Sequence, residues 1–131
     1  MSEEASNADL AERTRSLWDA ANRRDGDAIM RFFAPEPVWE TTLAVLDGPA
    51  AIRERLDEWF GAFDELEFVL EEILDFGNGV TLTVVNQKAR PAGGTSLSSS
   101  GHIERREVYL AVWRDGMITR SKRSGHCAME R

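Results

Sequence analysis

The chain has 131 residues, enough for one domain with a substantial core, and its 42% apolar and 30% charged content is that of a folded globular chain. With 16 Lys and Arg against 23 Asp and Glu, the net charge of -7 argues against nucleic acid and anionic membrane as partners, since both reward clustered positive charge. The single cysteine, Cys127, cannot form an internal disulfide, and it excludes a multi-cysteine metal or iron–sulfur site. The opening MSEEASNADL lacks the apolar core of a signal peptide, and no run approaches the roughly 20 apolar residues that span a bilayer. These features predict one domain over residues 1–131 in the reducing cytoplasm, with a mobile tail at 1–6 and no membrane association.

A first amphipathic helix is predicted from an N-cap at Asn7 to about Arg24, its apolar stripe running through Leu10, Leu17, Trp18 and Ala21. Asp25-Gly-Asp27 interrupts it and starts a short second helix bearing Ile29, Phe32 and Phe33, which Pro35 and Pro37 end. A short strand is expected over Val38–Leu43. Asp47-Gly-Pro-Ala then opens a third helix, with Pro49 tolerated in its first turn and a strong stripe of Ile52, Leu56, Trp59, Phe60 and Phe63. After it the apolar period falls from 3.6 to 2. Leu66, Phe68 and Leu70 lead a strand to about Phe76, Gly77-Asn-Gly79 makes a hairpin turn, and Val80, Leu82 and Val84 carry the next strand. The loop ARPAGGTSLSSSG (89–101) leads into a strand apolar on both faces, where Val108, Leu110 and Val112 alternate with Tyr109, Ala111 and Trp113. A turn at Asp115-Gly116 and a last strand from about Met117 to Arg123 follow. Three helices and then a largely antiparallel sheet make an α+β plan.

That element order resembles the nuclear transport factor two-like superfamily, and it is especially similar to its SnoaL-like and ketosteroid-isomerase-like branch. The resemblance is carried by ANRRDGDAIMRFFAPEPVWE (21–40), DGPAAIRERL (47–56) and VWRDGMITR (112–120). It implies a cone-shaped fold, three N-terminal helices packed against a strongly curved sheet, with a pocket between the concave face and the helices. It also implies a homodimer through the sheet's outer face. Tyr109, Ala111 and Trp113 would then face the pocket, with Arg105 and Glu107 toward its mouth, while Val108, Leu110 and Val112 would meet the dimer partner.

The steroid-isomerase constellation is not preserved. The position of its catalytic Asp falls on Thr41, its helix tyrosine on Leu17 beside Trp18, and its second donor near Tyr109. Glu40 is the best candidate base, because a carboxylate at the wall of an apolar pocket has its pKa raised toward the range useful in proton transfer. Strand alternation lets only one of Trp39 and Glu40 point inward, so the competing reading has Glu40 at a solvated strand end. Tyr109 is a candidate donor to a ligand carbonyl or enolate, and His126 a candidate proton shuttle. Trp18, Trp39, Trp59, Phe63 and Trp113 are core residues that also offer flat walls to a hydrophobic ligand, joined by Arg105 and Glu107. Two histidines and one cysteine give no metal-ligand spacing, and no cofactor motif is present. Two functions remain open. One is a cofactor-independent cyclase, isomerase or dehydratase working by proton transfer on a hydrophobic, polyketide- or steroid-like small molecule. The other is a non-catalytic dimeric protein that binds or sequesters such a ligand.

Overall fold

The computed structural model describes residues 3–92 and 103–124, with side chains from Leu10 onward. Helix α1 (Glu3–Asn22) leads to a one-turn α2 (Gly26–Met30), strands β1 (Phe33–Glu40) and β2 (Val45–Asp47), and helix α3 (Pro49–Gly61). Four strands follow: β3 (Phe63–Gly77), β4 (Val80–Pro91), β5 (Ile103–Arg114) and β6 (Met117–Ser124). They form one curved, open six-stranded sheet in the order β2-β1-β6-β5-β4-β3. Only the β1–β6 pair is parallel.

Three boundaries differ from the sequence reading, each for a local reason. α1 starts at Glu3 rather than after Asn7, since the stretch EEAS holds no glycine or proline to stop the helix. The predicted second helix stops at Met30, and Phe33 opens a strand that runs through both prolines. Pro35 and Pro37 have no N–H to give, and the β1–β6 ladder is interrupted between Phe33 and Val38, where those donors are missing. The expected strand Val38–Leu43 is present only as far as Glu40, the end of β1, and a hairpin turn takes the place of its last three residues. The Thr41 hydroxyl accepts from the Leu43 and Ala44 amides at 3.2 and 3.0 Å, turning the chain so that β2 pairs back on β1.

Short polar signals fix the junctions that position the cavity. The Asn22 side chain clamps the Phe68 backbone, donating to its carbonyl at 3.0 Å and accepting from its amide at 2.7 Å. Arg24, in the left-handed region, sends its guanidinium to the carbonyls of Phe60, Phe63 and Asp64. The Asp25 carboxylate caps α2 by accepting from the Ala28 amide. Two hairpins turn on left-handed pairs, Asn78-Gly79 and Asp115-Gly116, the dihedrals of a type I′ turn. Gly79 is required twice over, because its φ is positive and a Cβ there would strike the Trp113 carbonyl oxygen.

The core lies between α1, α3 and the concave sheet face, with Ile52, Leu56, Trp59 and Phe60 of α3 all buried against it. Each such side chain contributes roughly 1.5–3 kcal/mol by leaving water. Phe63, assigned from sequence to the helix stripe, is the first residue of β3 and is only half-buried.

Candidate functional site: the cavity between sheet and helices

Strand alternation builds the concave wall. On β4 the inward positions Thr81, Thr83, Val85, Gln87 and Ala89 are buried, while Leu82 and Val84 on the other face are half-exposed. On β5 the inward set is Glu107, Tyr109, Ala111 and Trp113. An irregularity between Val112 and Trp113 leaves Thr119 as the extra residue of β6. It lies opposite β5, so the alternation of β5 itself is unbroken. Thr119 Oγ1 donates to the Val112 carbonyl at 3.2 Å and closes the gap.

A cavity of ≈ 70 Å³ lies between this wall and helices α1 and α3. Trp18, Trp39, Trp59, Tyr109 and Trp113 all line it. Trp18 meets Tyr109 edge to face at 4.9 Å between centroids and Trp59 meets Phe68 likewise at 5.2 Å, while Trp59 stacks on Phe60 at 6.1 Å. The remaining lining is aliphatic or phenyl apart from four hydroxyls, those of Thr14, Thr81, Thr83 and Ser121. Thr81 is occupied, since its Oγ1 accepts from Trp113 Nε1 at 3.0 Å. Thr14 Oγ1 and Trp39 Nε1 are buried in the lining and have no hydrogen-bond partner among the described residues. A buried polar group left unpaired costs about 1–3 kcal/mol, so these two atoms mark where a ligand would recover energy.

Glu40 does not join them. Trp39 takes the inward direction, and Glu40 lies on the opposite face, its Oε2 2.7 Å from Arg120 Nη2. The pairing of Glu40 with Lys122 across β1 and β6 adds a second cation on that side. The cavity therefore lacks the carboxylate expected from the sequence, and the physical reason is the parity of β1. Arg105 is exposed, and Phe63 is absent from the lining. His102, His126 and Cys127 lie outside the described residues.

Glu107 is placed differently from the expected position at the mouth. It is only 2% exposed and forms a buried corner beneath Tyr109. Tyr109 donates its hydroxyl proton to Glu107 Oε1 at 2.8 Å, while Arg123 Nη1 donates to Oε2 at 3.3 Å and Arg105 Nη1 lies 3.9 Å away. Burial, and then the neighbouring Glu107 carboxylate, push the Tyr109 hydroxyl well above its ordinary value of 10.0. Tyr109 is thus a neutral phenol whose one proton is already engaged.

Sequence reasoning missed Thr14 and the Thr81–Thr83 pair. A threonine within an amphipathic helix looks like any half-polar position, and threonines in strands register as β propensity. The available signal was the alternation itself: on β4 the aliphatic residues Leu82 and Val84 hold the outer positions, which leaves the hydroxyls for the inner wall.

Among the described residues no group of three or more His, Cys, Asp or Glu is placed to hold a metal, and no helix is long and apolar enough to cross a membrane. A family model described as the SnoaL-like domain matches residues 14–121, and the chain belongs to that family. Solved structures repeat the fold. AclR of Streptomyces galilaeus, a proposed hydroxylase, shares 15% identity with a TM-score of 0.77, over 90% of this chain and 75% of its own. A proposed SnoaL-like polyketide cyclase of a Jannaschia species gives 17% and 0.77, over 90% and 85%. A nuclear transport factor two-like protein of unknown function from Burkholderia pseudomallei gives 13% and 0.76, over 95% and 91%. Identities this low establish the shared fold alone. No curated protein matches the sequence.

Proposed function

We propose that the protein binds a compact, largely apolar molecule in this cavity and orients it through Thr14 and Trp39. The observation that carries this reading is the pair of buried, unpaired polar atoms in an otherwise apolar lining. Trp39 Nε1 can only donate, so the ligand presents an acceptor such as a carbonyl there. The free space is small beside the roughly 150 Å³ that takes up benzene. Even a single-ring ligand therefore requires the aromatic lining to give way, and a polycyclic one requires the tryptophans to move further. Tryptophan emission, titrated with acetophenone and with ethylbenzene of matched shape, tests the assignment. The ketone binds more tightly, and Trp39→Phe removes the preference while leaving ethylbenzene bound. Equal affinities in the parent protein would refute the orienting role.

A catalytic reading rests on the Tyr109–Glu107 contact, in keeping with the proposed cyclase activity of the Jannaschia relative. A proton leaving the ligand carbon would pass to Tyr109 Oη as the Tyr109 proton moves to Glu107, leaving an enolate. Deuterium incorporation into the acetophenone methyl group in heavy water measures this step. It is faster than in protein-free buffer if the relay operates, and the acceleration is lost in Tyr109→Phe.

We infer further that the protein pairs with a second copy through its outer sheet face. Val108, Leu110 and Val112 stand there beside Leu82 and Val84, with Glu72 on the β3 flank and Lys122 on the β6 flank. A two-fold axis along the strands would set those unlike charges opposite each other. Leu110→Glu converts the dimer to monomer on a sizing column, and an unchanged dimer would exclude this face.

A further inference from the structure

A second cleft, of ≈ 410 Å³, lies on the other flank of α1, against α2 and the turn that follows it. Its floor is shallow because Ala20 and Ala28, both buried, carry only methyl groups. Arg13, Ser16, Asp19, Arg23, Arg31 and Phe32 line the rest of it. On α1 the positions 13, 16 and 20 follow helical spacing and share one face, and Arg23 stands in the turn just past the helix end. Three basic residues therefore line the cleft with a single acidic one, in a chain whose net charge is -7.

The three arginines also differ from most others in the chain. Arg53, Arg55, Arg90, Arg105, Arg106, Arg120 and Arg123 each lie within 4.0 Å of a carboxylate. Among the described residues no carboxylate comes that close to Arg13, Arg23 or Arg31. The nearby Asp27 is engaged by Arg53. Arg13 is held in place by aromatic rings instead, its guanidinium 5.0 Å from the Phe32 centroid and 6.0 Å from that of Trp113. A cation fixed in this way has little rotamer freedom left to lose when an anion arrives.

We propose that this cleft binds a tetrahedral oxyanion of the phosphate type, either as the free ion or as the head of a phosphomonoester. Guanidinium forks match such oxygens in pairs, which a point-charge ammonium does not. Ser16 supplies a neutral donor beside them. Asp19 opposes the anion, so the site discriminates against monoanions, which gain too little from the arginines to offset that carboxylate.

The test is a titration of the ¹⁵N-labelled full chain with inorganic phosphate and with phenyl phosphate, at constant ionic strength with chloride as the balance. Saturable amide shifts are expected at Ser16, Ala20, Arg23 and Arg31. Arg23→Ala and Arg31→Ala each weaken binding about twofold to fivefold, and Asp19→Asn strengthens it by a similar factor, the range of a single exposed charge contact. Tighter binding of phenyl phosphate assigns the cleft to a phosphomonoester, and equal affinity assigns it to the free ion. Shifts that chloride reproduces, that survive in the Arg23→Ala/Arg31→Ala double variant, or that weaken in Asp19→Asn would overturn the proposal. Arg23, Arg31 and Asp19 are all exposed, so none of these variants threatens the fold.

Discussion

The concave face holds two buried polar regions that obey opposite rules. At the Glu107 corner the groups are matched: the carboxylate accepts one hydrogen bond from Tyr109 and another from Arg123. Around the cavity, Thr14 Oγ1 and Trp39 Nε1 are also buried and have no partner among the described residues. A protein interior tolerates a buried charge when its neighbours satisfy it, and it tolerates an unpaired donor when something else does. The first region is organised for the folded chain itself. The second is the region that the proposed ligand would complete.

The sharpest way to break the contrast is to unbalance the corner. Glu107→Ala leaves Arg123, only 16% exposed, without its carboxylate, and Tyr109 without its acceptor. Removing one partner of a buried pair costs about 3–5 kcal/mol, which urea denaturation measures directly. The loss should far exceed that of Glu40→Ala, whose partner Arg120 is 55% exposed and whose pair is worth at most about 1 kcal/mol. Equal losses would mean that burial does not distinguish the two carboxylates.

The same corner predicts an alkaline limit. Tyr109 ionises later in the folded chain than in the unfolded one, so above its ordinary value of 10.0 the folded state binds more protons. Stability contributed by this difference is fully present below that value and is lost as pH rises through it toward the folded pKa. Urea midpoints followed upward from neutral pH should fall more steeply in the parent protein than in Tyr109→Phe. A parallel decline would show that Tyr109 carries no such linkage.

How much of this was legible beforehand depends on the kind of signal. Ile52, Leu56, Trp59 and Phe60 announced a buried helix face because four large side chains recur at helical spacing, and each is buried. Asn78-Gly79 and Asp115-Gly116 announced hairpins because few other pairs adopt two left-handed residues. The first half of β1 was hidden because Pro35 and Pro37 argue against a strand, and it is the pairing of Phe33 with Ile118 of β6, distant in sequence, that supports one there. Glu40 was read as a base for a related reason. Alternation states that Trp39 and Glu40 point apart, but which of them faces the core is settled by that same long-range pairing. Arg123 as the partner of Glu107 was likewise invisible, since two strands must come into register before the pair exists.

The smallest effect is also the one that best separates the two regions. Thr14→Val keeps the shape of a side chain that is 2% exposed and removes a hydroxyl without a partner. In a self-satisfied interior, deleting a hydrogen-bonding group destabilises. Here the folded state gives up an unpaired polar atom, so stability should hold or rise by up to about 1 kcal/mol. Affinity for an acceptor-bearing ligand moves the other way, by the twofold to twelvefold that corresponds to about 0.5–1.5 kcal/mol for one neutral hydrogen bond. A gain in stability coupled to a loss in binding is the signature of a group kept for its ligand. A loss in both would place Thr14 with the Glu107 corner, among the groups that serve the fold.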